Sequence, residues 1–452
     1  MAFRSLLPTA MASIHLISVG SRGDLEPYLA LLEELRRRKH QVHLIGSVNF
    51  EEACRDRDLR FTALPGDFQE LMGSDTGLQL MEGSAVRLIN DDLLAAWLKT
   101  ARQAIRGCDL LIAPPLAIWA YHLAEAEGCR FAVTSPIPLV GTREFAFLKW
   151  PGEPRDKTET HQRWLRGGMR RRLLGRLNQL SYKMVRLIKW RQEAGVIQTF
   201  RASEGLPSLP WAGIAGRRDT PPELMAPTVL HLFSKHVVAR PADWPTNAKV
   251  TGFCLAQNQA TKGYSPPDDL QTFLAKGPAP IYAGFGSMIP RNPAHLAEVV
   301  IKAASDAGVR LILSPGWGKV LPAKPYPNTV FILESCPHQW LFPQLLGAVH
   351  HGGAGTTATT LQCGIPSIVV AFFADQPAWG KTLEELGVSP ATHSAKNVTA
   401  KALRESLLQI KTVNDYRDRA QDLKKLIQKE NGLIQTADVL ESIIKPENSI
   451  RV

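Results

Sequence analysis

The stretch from Val349 to Pro366, VHHGGAGTTATTLQCGIP, sets two imidazoles directly before three glycines and a run of threonines. Its apolar start reads as the end of a strand, and TTATTLQC as the start of a helix capped by Thr356 or Thr357. Glycines at such a turn can take positive φ and let backbone approach a ligand closely. Amides at a helix start point outward and carry the positive end of the dipole, so the group that suits them is a phosphate or diphosphate. Threonine hydroxyls add donors. A histidine just before the turn can donate to a phosphate oxygen and, when protonated, supplies charge as well. The plain alternative is a tight turn with one histidine paired in the core. Two histidines, the glycines and the threonine pair together favour the phosphate.

Three further places invite chemistry. Asp375 and Gln376 follow the apolar run SIVVAFFA, at the end of a strand where ligands bind in parallel sheets. A carboxylate beside an amide suits sugar hydroxyls, which both donate and accept; alone, the pair reads equally as a helix cap. Asp24, in GSRGDLEP, stands between a strand and a helix. It is either the N-cap of that helix or a general base facing a cleft, and capping competes with base catalysis for the carboxylate. GFGSM carries Ser287, able to offer a hydroxyl to a phosphate, and SPGWGK carries Trp317, whose ring can stack on a base or simply pack.

The elements that must position these residues alternate. IHLISV is a short apolar, β-prone run, followed by a turn and the amphipathic, basic-ended LEPYLALLEELRRRKH, then the strand QVHLIGS. DLLIAPP and RFAVTSPIP continue the series. PIYAGFGSM, RLILSPGWG, TVFILES, GAVHHGG and SIVVAFFADQ repeat it in the second half. Strand, loop, helix, strand is the signature of parallel sheets with crossover helices. The expected fold class is α/β: two tandem Rossmann-like doubly wound parallel-sheet domains facing a cleft. The expected domains are 1–238, a linker over 239–270 rich in Pro, Asn, Thr and Gly, and 271–452, whose last helix can return to the first domain.

The 452 residues carry a net charge of +11, which suits anionic partners. The excess is uneven: ten Lys or Arg and no acid lie between Arg163 and Arg191. In that stretch Leu173, Leu177, Leu180, Met184 and Leu187 recur at helical spacing, with interruptions expected near Gly167, Gly168 and Gly175. The segment reads as a surface helix covering the first sheet with a solvated basic face, or as a surface lying on anionic lipid. No nucleic-acid module accompanies it. Six cysteines lack metal or disulfide spacing. No apolar run reaches the ~18 residues of a membrane span, and the start is too short and weakly apolar for a secretory signal. The expected location is the cytoplasm, in solution or peripheral to the membrane, where those thiols stay reduced.

Taken together, GSRGDLEP, HVVARPADWPTNAKVTGF, YAGFGSM, CPHQWLFPQLLGAVHHGGAGTT and FFADQPAWGKTLEELGV resemble nucleotide-sugar-dependent glycosyltransferases with the two-domain GT-B fold. Within these the likeness is to the sterol 3β-glucosyltransferase and lipid or natural-product glucosyltransferase branch. It is weakest from about Phe68 to Ser208, where that family builds its acceptor pocket. The resemblance implies a nucleotide sugar, UDP-glucose by default, as co-substrate with no cofactor, and a hydrophobic small-molecule or lipid acceptor. It implies His351 on the diphosphate with Gly353, Gly355, Thr356 and Thr357 around it, Ser287 assisting, and Asp375 and Gln376 on the sugar. Cys336, Pro337 and His338 would line the uracil. Relatives often place a stacking Trp before that point; Ser335 stands there, and Trp317 is the candidate substitute. Asp24 matches the proposed base, and the reaction would be inverting.

No metal is expected, the helix start and histidine supplying the positive potential. The Asp56, Arg57, Asp58 triplet, Asp91 with Asp92, and Asp268 with Asp269 read as surface acids. Two rival functions stand beside transfer: a nucleotide-sugar epimerase of the same architecture, and a non-catalytic membrane- or lipid-binding protein using the basic helix.

Overall fold

The structure, a computed structural model, describes residues 11–84, 86–151, 169–211, 213, 227–255, 263–321 and 325–444. The first sheet is formed by β1 (Ser13–Ser18), β2 (Gln41–Ser47), β3 (Arg60–Leu64), β4 (Leu110–Ala113), β5 (Arg130–Ser135), β6 (Thr228–His231) and β7 (Ala248–Val250), in the order β3-β2-β1-β4-β5-β6-β7. The second is formed by β8 (Ile281–Gly284), β9 (Leu311–Ser314), β10 (Val330–Ile332), β11 (Gly347–His350), β12 (Ser367–Ala371) and β13 (Thr392–Ser394), ordered β10-β9-β8-β11-β12-β13. Every pairing in both is parallel. Helices cover both faces, which is why β4 and β12 are buried at every residue.

Each sheet reverses its strand order next to its first strand, at β1/β4 and at β8/β11. A crevice opens at the carboxyl ends of the strands at such a point. The segments that follow β1, β8, β11 and β12 carry Asp24, in the first turn of the next helix, and Ser287, His351 and Asp375, so the topology alone gathers the candidate residues.

Five helices carry the rest of the argument: α1 (Arg22–Arg37), α2 (Met169–Ser203), α3 (Ala354–Cys363), α4 (Gln376–Glu385) and α5 (Gly432–Ile444). α5 returns from the second domain to the first. Arg38 bonds Asp438 at 2.6 Å and Glu441 at 3.0 Å, and Ala437 and Leu440 enter the core beside Leu25 and Leu32. The contact runs the other way too. Phe68, Met72 and Met81 of the first domain pack into the core of the second, Ile289 N–H donates to Met81 Sδ at 3.2 Å, and Arg291 pairs with Glu82.

Three expectations change. The segment 239–270 is not all linker, because Ala248–Val250 adds the last strand to the first sheet and Asp268 opens a helix. The basic helix is a single element of 35 residues that runs through Gly175, which fits against Arg143; Gly167 and Gly168 lie outside the described residues. Its N-terminal half does not bury its apolar stripe on the first sheet: Leu173, Leu177, Leu180 and Met184 are exposed, and Leu187 is half-buried. The C-terminal half is anchored, by Ile197 and Phe200 in the core and by buried Arg201, which bonds Glu125 at 2.6 Å.

Candidate active site

α3 begins one residue after the glycine pair. Its N-cap is Gly353, with no side-chain cap, so Thr356 and Thr357 fall at the third and fourth helical positions and do not cap it. The first bond within the helix is Thr357 N–H to Gly353 O at 3.0 Å, so the amides of Ala354, Gly355 and Thr356 precede the intrahelical ladder. Thr356 is half-buried; Thr357 is buried, and its hydroxyl has no partner among the described residues. Of the glycines here only Gly352 takes positive φ, at 83°, and a side chain there would collide with Val369.

The two histidines divide the labour. His350 is fully buried and its Nδ1 accepts from Gly352 N–H at 3.1 Å, fixing the turn. His351 is half-buried between two glycines. A Cβ on Gly286 would come 3.1 Å from its Cε1, and one on Gly353 would overlap its Nε2 and lie 3.2 Å from Cδ2 and Cε1. Its Nδ1 is buried with no partner among the described residues. Burial first, then the nearby His338, holds the imidazole pKa at about 4. Free of ligand it is therefore neutral at pH 7, with one ring N–H able to donate and no charge.

The β8 loop closes the other side. Gly286 turns with φ 58°, its carbonyl accepts from Trp317 N–H at 2.9 Å, and Ser287 is half-buried beside it. Trp317 thus reaches the turn that flanks His351, packed half-buried on the core. His338 is stacked on Phe342 at 4.4 Å and 14°, and meets the Tyr282 hydroxyl at 3.2 Å. Cys336 and Pro337 precede it, both half-buried.

Asp375 and Gln376 open α4 in different ways. Asp375 accepts from Trp379 Nε1–H at 3.0 Å, one helical turn on. Burial lifts its pKa to about 6, and the charge of Asp24 adds to the lift. Gln376 is buried and turned inward: Oε1 accepts from Phe372 N–H at 2.8 Å and Phe373 N–H at 3.3 Å, and Nε2 donates to Met288 Sδ at 3.2 Å. It clasps the β12 and β8 loops, with its amide engaged on both sides.

Asp24 is neither N-cap nor free. Ser21 is the N-cap of α1, and Asp24 is the reciprocal third residue of a capping box. Ser21 N–H and Oγ–H donate to Asp24 Oδ2 at 2.8 and 3.1 Å. Both bonds end on one oxygen, so capping and base catalysis are compatible. Burial pushes the carboxyl above its usual range, against the pull of Ser21. Gly20 is required here: its φ is 133°, and a Cβ would stand 2.5 Å from Asp24 Oδ2.

The helix starts meet across the cleft. The Gly23 carbonyl lies 3.4 Å from where a Cβ on Gly355 would be. The structure therefore brings Asp24, His351, Gly353, Gly355 and Asp375 to one place. The other acids stay away: Asp56, Asp58, Asp91, Asp92, Asp268 and Asp269 are exposed at helix ends. A recess of about 320 Å³ lined by His15, His40, His43 and Arg60 lies at the opposite ends of β1 and β2. His350 takes the core role that the sequence offers to one of the two histidines, whereas the parts played by Ser21, Met288 and Trp379 go beyond what the sequence analysis names. Trp379 had a visible signal in its i+4 spacing from Asp375, and Ser21 in its three-residue spacing before Asp24, the pattern of a capping box.

Two parallel doubly wound domains with a diphosphate-type helix start in the cleft between them define the GT-B class of glycosyltransferases. Solved structures of that class agree. The glycosyltransferase of kitacinnamycin superposes with a TM-score of 0.65 at 19% identity, over 96% of this chain and all of that one. Glycosyltransferase VinC, solved in complex with dTDP, gives 0.61 at 16%, covering 96% and 99%. Residues 14–145 match the glycosyltransferase family 28 N-terminal domain, and 303–431 the erythromycin biosynthesis protein CIII-like C-terminal domain. A sterol 3-beta-glucosyltransferase of Arabidopsis thaliana is 30% identical over 99% of this chain and 70% of its own length. One of Sclerotinia sclerotiorum is 32% identical over 94% of this chain, which spans 29% of it. The chain belongs to the glycosyltransferase family of the sterol 3-beta-glucosyltransferases.

Proposed function

We propose that the protein transfers a hexose, glucose from UDP-glucose, to the hydroxyl of a sterol or similarly flat, apolar acceptor, with inversion and without a metal ion. The observation that carries this reading is the facing pair of helix starts, one presenting a carboxylate and the other unoccupied amides with a histidine. The acceptor hydroxyl attacks the anomeric carbon as the bond to the diphosphate oxygen breaks. Asp24 takes the hydroxyl proton, and the electron pair leaves on the diphosphate. His351 and the amides of Ala354, Gly355 and Thr356 stabilise that charge, in place before the reaction begins. Asp375, held by Trp379, accepts from sugar hydroxyls in this reading. Gln376 supports the site through the loops it clasps.

The sterol 3-beta-glucosyltransferase relatives support the acceptor class, and the family supports transfer over the epimerase reading. The test is direct. UDP- and dTDP-sugars are incubated with a panel of sterols, flavonoids, macrolides and hydroxylated lipids, and products are read by mass spectrometry and anomeric NMR. A β-glucoside of a sterol from UDP-glucose in the presence of EDTA is the expected product. Epimerised nucleotide sugar without acceptor, or no product from any pair, defeats the proposal.

A further inference from the structure

The first half of α2 presents an apolar stripe to solvent. Leu173, Leu177, Leu180, Met184 and Ile188 are 59, 51, 47, 47 and 53% exposed. At helical spacing they fall within roughly an 80° arc and extend about 22 Å along the axis. Monomeric soluble proteins rarely leave such a row uncovered. Exposed Arg172, Arg176 and Lys183 line one flank of it. No acid occurs from Arg163 to Arg191. A solvated helix has no use for five large apolar residues in line, and a protein partner of mixed charge does not explain the missing acids.

The opposite side of the same helix reaches the candidate active site. Tyr182 is buried there, 5.5 Å from Phe147, in a cluster that includes Trp150 and Trp379. Trp150 packs at 5.3 Å on Trp379, whose indole holds Asp375. One helix therefore has an outer face suited to a bilayer and an inner face joined by packing to the sugar-binding loop. The exposed Trp211, whose carbonyl accepts from Trp190 Nε1–H at 3.0 Å, stands at the C-terminal side of the stripe and is a side chain that favours membrane interfaces.

We propose that α2 docks the protein on an anionic phospholipid surface, lying in the interface with its stripe against the acyl chains and its basic flank on the headgroups. The role rests on the proposed transfer to an apolar acceptor: docking brings the cleft to the phase in which such an acceptor dissolves.

The experiment uses the full chain and vesicles of phosphatidylcholine alone or with 30 mol% phosphatidylglycerol, roughly the anionic content at which surface potential matters. Three proteins are compared: wild type, Leu177→Ser/Met184→Ser, and Arg172→Gln/Arg176→Gln/Lys183→Gln. Co-sedimentation of wild type with the anionic vesicles is expected. Each charge removed should weaken binding about fivefold, so the triple variant falls on the order of 100-fold. The apolar variant falls at least tenfold, and both keep the wild-type melting temperature. Both also keep wild-type turnover of a detergent-dispersed sterol while losing turnover of the same sterol embedded in vesicles. Wild type that ignores anionic vesicles, or variants that bind as wild type does, overturns the docking. So does a stable dimer that the apolar variant dissociates, since the stripe then covers a second copy. Vesicle binding without transfer to any acceptor refutes the proposed reaction and leaves docking intact.

Discussion

His351 is held between two glycines, and that confinement can be tested with one methyl group. Gly353 has φ −63° and ψ 144°, values any residue adopts, so Gly353→Ala introduces no backbone strain. The new Cβ overlaps His351 Nε2 and lies 3.2 Å from two ring carbons. The ring cannot retreat freely, because the Gly286 backbone flanks it on the other side, so closely that a Cβ there would stand only 3.1 Å from its Cε1. Overpacking of this kind costs about 1–3 kcal/mol, and the cheapest relief is rotation of the imidazole out of its slot. If that imidazole donates to the leaving diphosphate, its displacement removes one preorganised donor, worth roughly 10²–10³ in kcat. The assay is steady-state transfer with wild type, Gly353→Ala, His351→Ala and the double variant. Gly353→Ala and His351→Ala should each fall about 10²-fold. The double variant should fall no further than His351→Ala, because the methyl then has no ring to displace. In stability the same cycle should show a favourable coupling of about 1–3 kcal/mol. Full activity in Gly353→Ala, or losses that multiply in the double variant, would refute the role of His351.

Asp24→Asn keeps an oxygen for Ser21 and so keeps the capping box, while removing the base; kcat should fall about 10²–10⁴, with UDP affinity by calorimetry unchanged, and full turnover would remove Asp24 from catalysis. His351 in the free protein has its pKa held at about 4; a diphosphate beside it favours the charged ring and raises that value. Nucleotide binding should then take up a fraction of a proton, and affinity should strengthen as pH falls from 7 to 5. Calorimetry in buffers of different ionisation enthalpy reads this, and proton release on binding contradicts it. Asp375 is raised from 3.8 to about 6. The raised carboxylate costs nothing below its unfolded pKa, costs progressively more as pH climbs through about 6, and a constant amount above. At the shift given, that cost is at most about 3 kcal/mol. Asp375→Asn should therefore stabilise the protein at pH 8 and hardly at all near pH 4, by urea unfolding, and an equal gain at both ends rejects the burial of its charge.

The architecture was readable because each motif ended a strong strand. IHLISV, QVHLIGS, GAVHHGG and SIVVAFFA are apolar runs closed by glycine or acid, and the structure makes strands of all four. Two of the short strands were not readable. Thr392–Ser394 and Ala248–Val250 are three residues each, and tertiary pairing rather than propensity makes them strands. Gln376 and Asp24 show what spacing omits. A motif places both at a strand end, but only side-chain geometry reveals that one clasps two loops and the other lends a single oxygen to a cap. The threonines after the glycine pair misled the reading of the cap because Gly353 already begins the helix. The stripe on α2 was visible as periodicity, yet period alone cannot say which side is covered.

The proposed division of roles between the domains follows from one difference between two helix starts that face each other. Both offer the positive end of a dipole to the cleft. α1 carries its own anion in the first turn, Asp24, bonded to Ser21. An incoming diphosphate would meet a carboxylate there and be repelled. α3 has no acid in its first turn and reaches the cleft through glycine, alanine and threonine. It is the positive end without an anion of its own, so on the proposed function the diphosphate would go to the second domain and the acceptor would be left to the first. The same difference orders the charges during transfer. In the proposed transfer, negative charge would grow on the leaving oxygens beside α3 while the carboxylate beside α1 would be neutralised by the hydroxyl proton. The net charge facing each dipole thus becomes less negative at α1 and more so at α3, and the repulsion between Asp24 and Asp375 that the free protein tolerates is relieved as the bond breaks. Swapping a carboxylate onto Gly355 would abolish the asymmetry, and with it the reason for the nucleotide to choose a side.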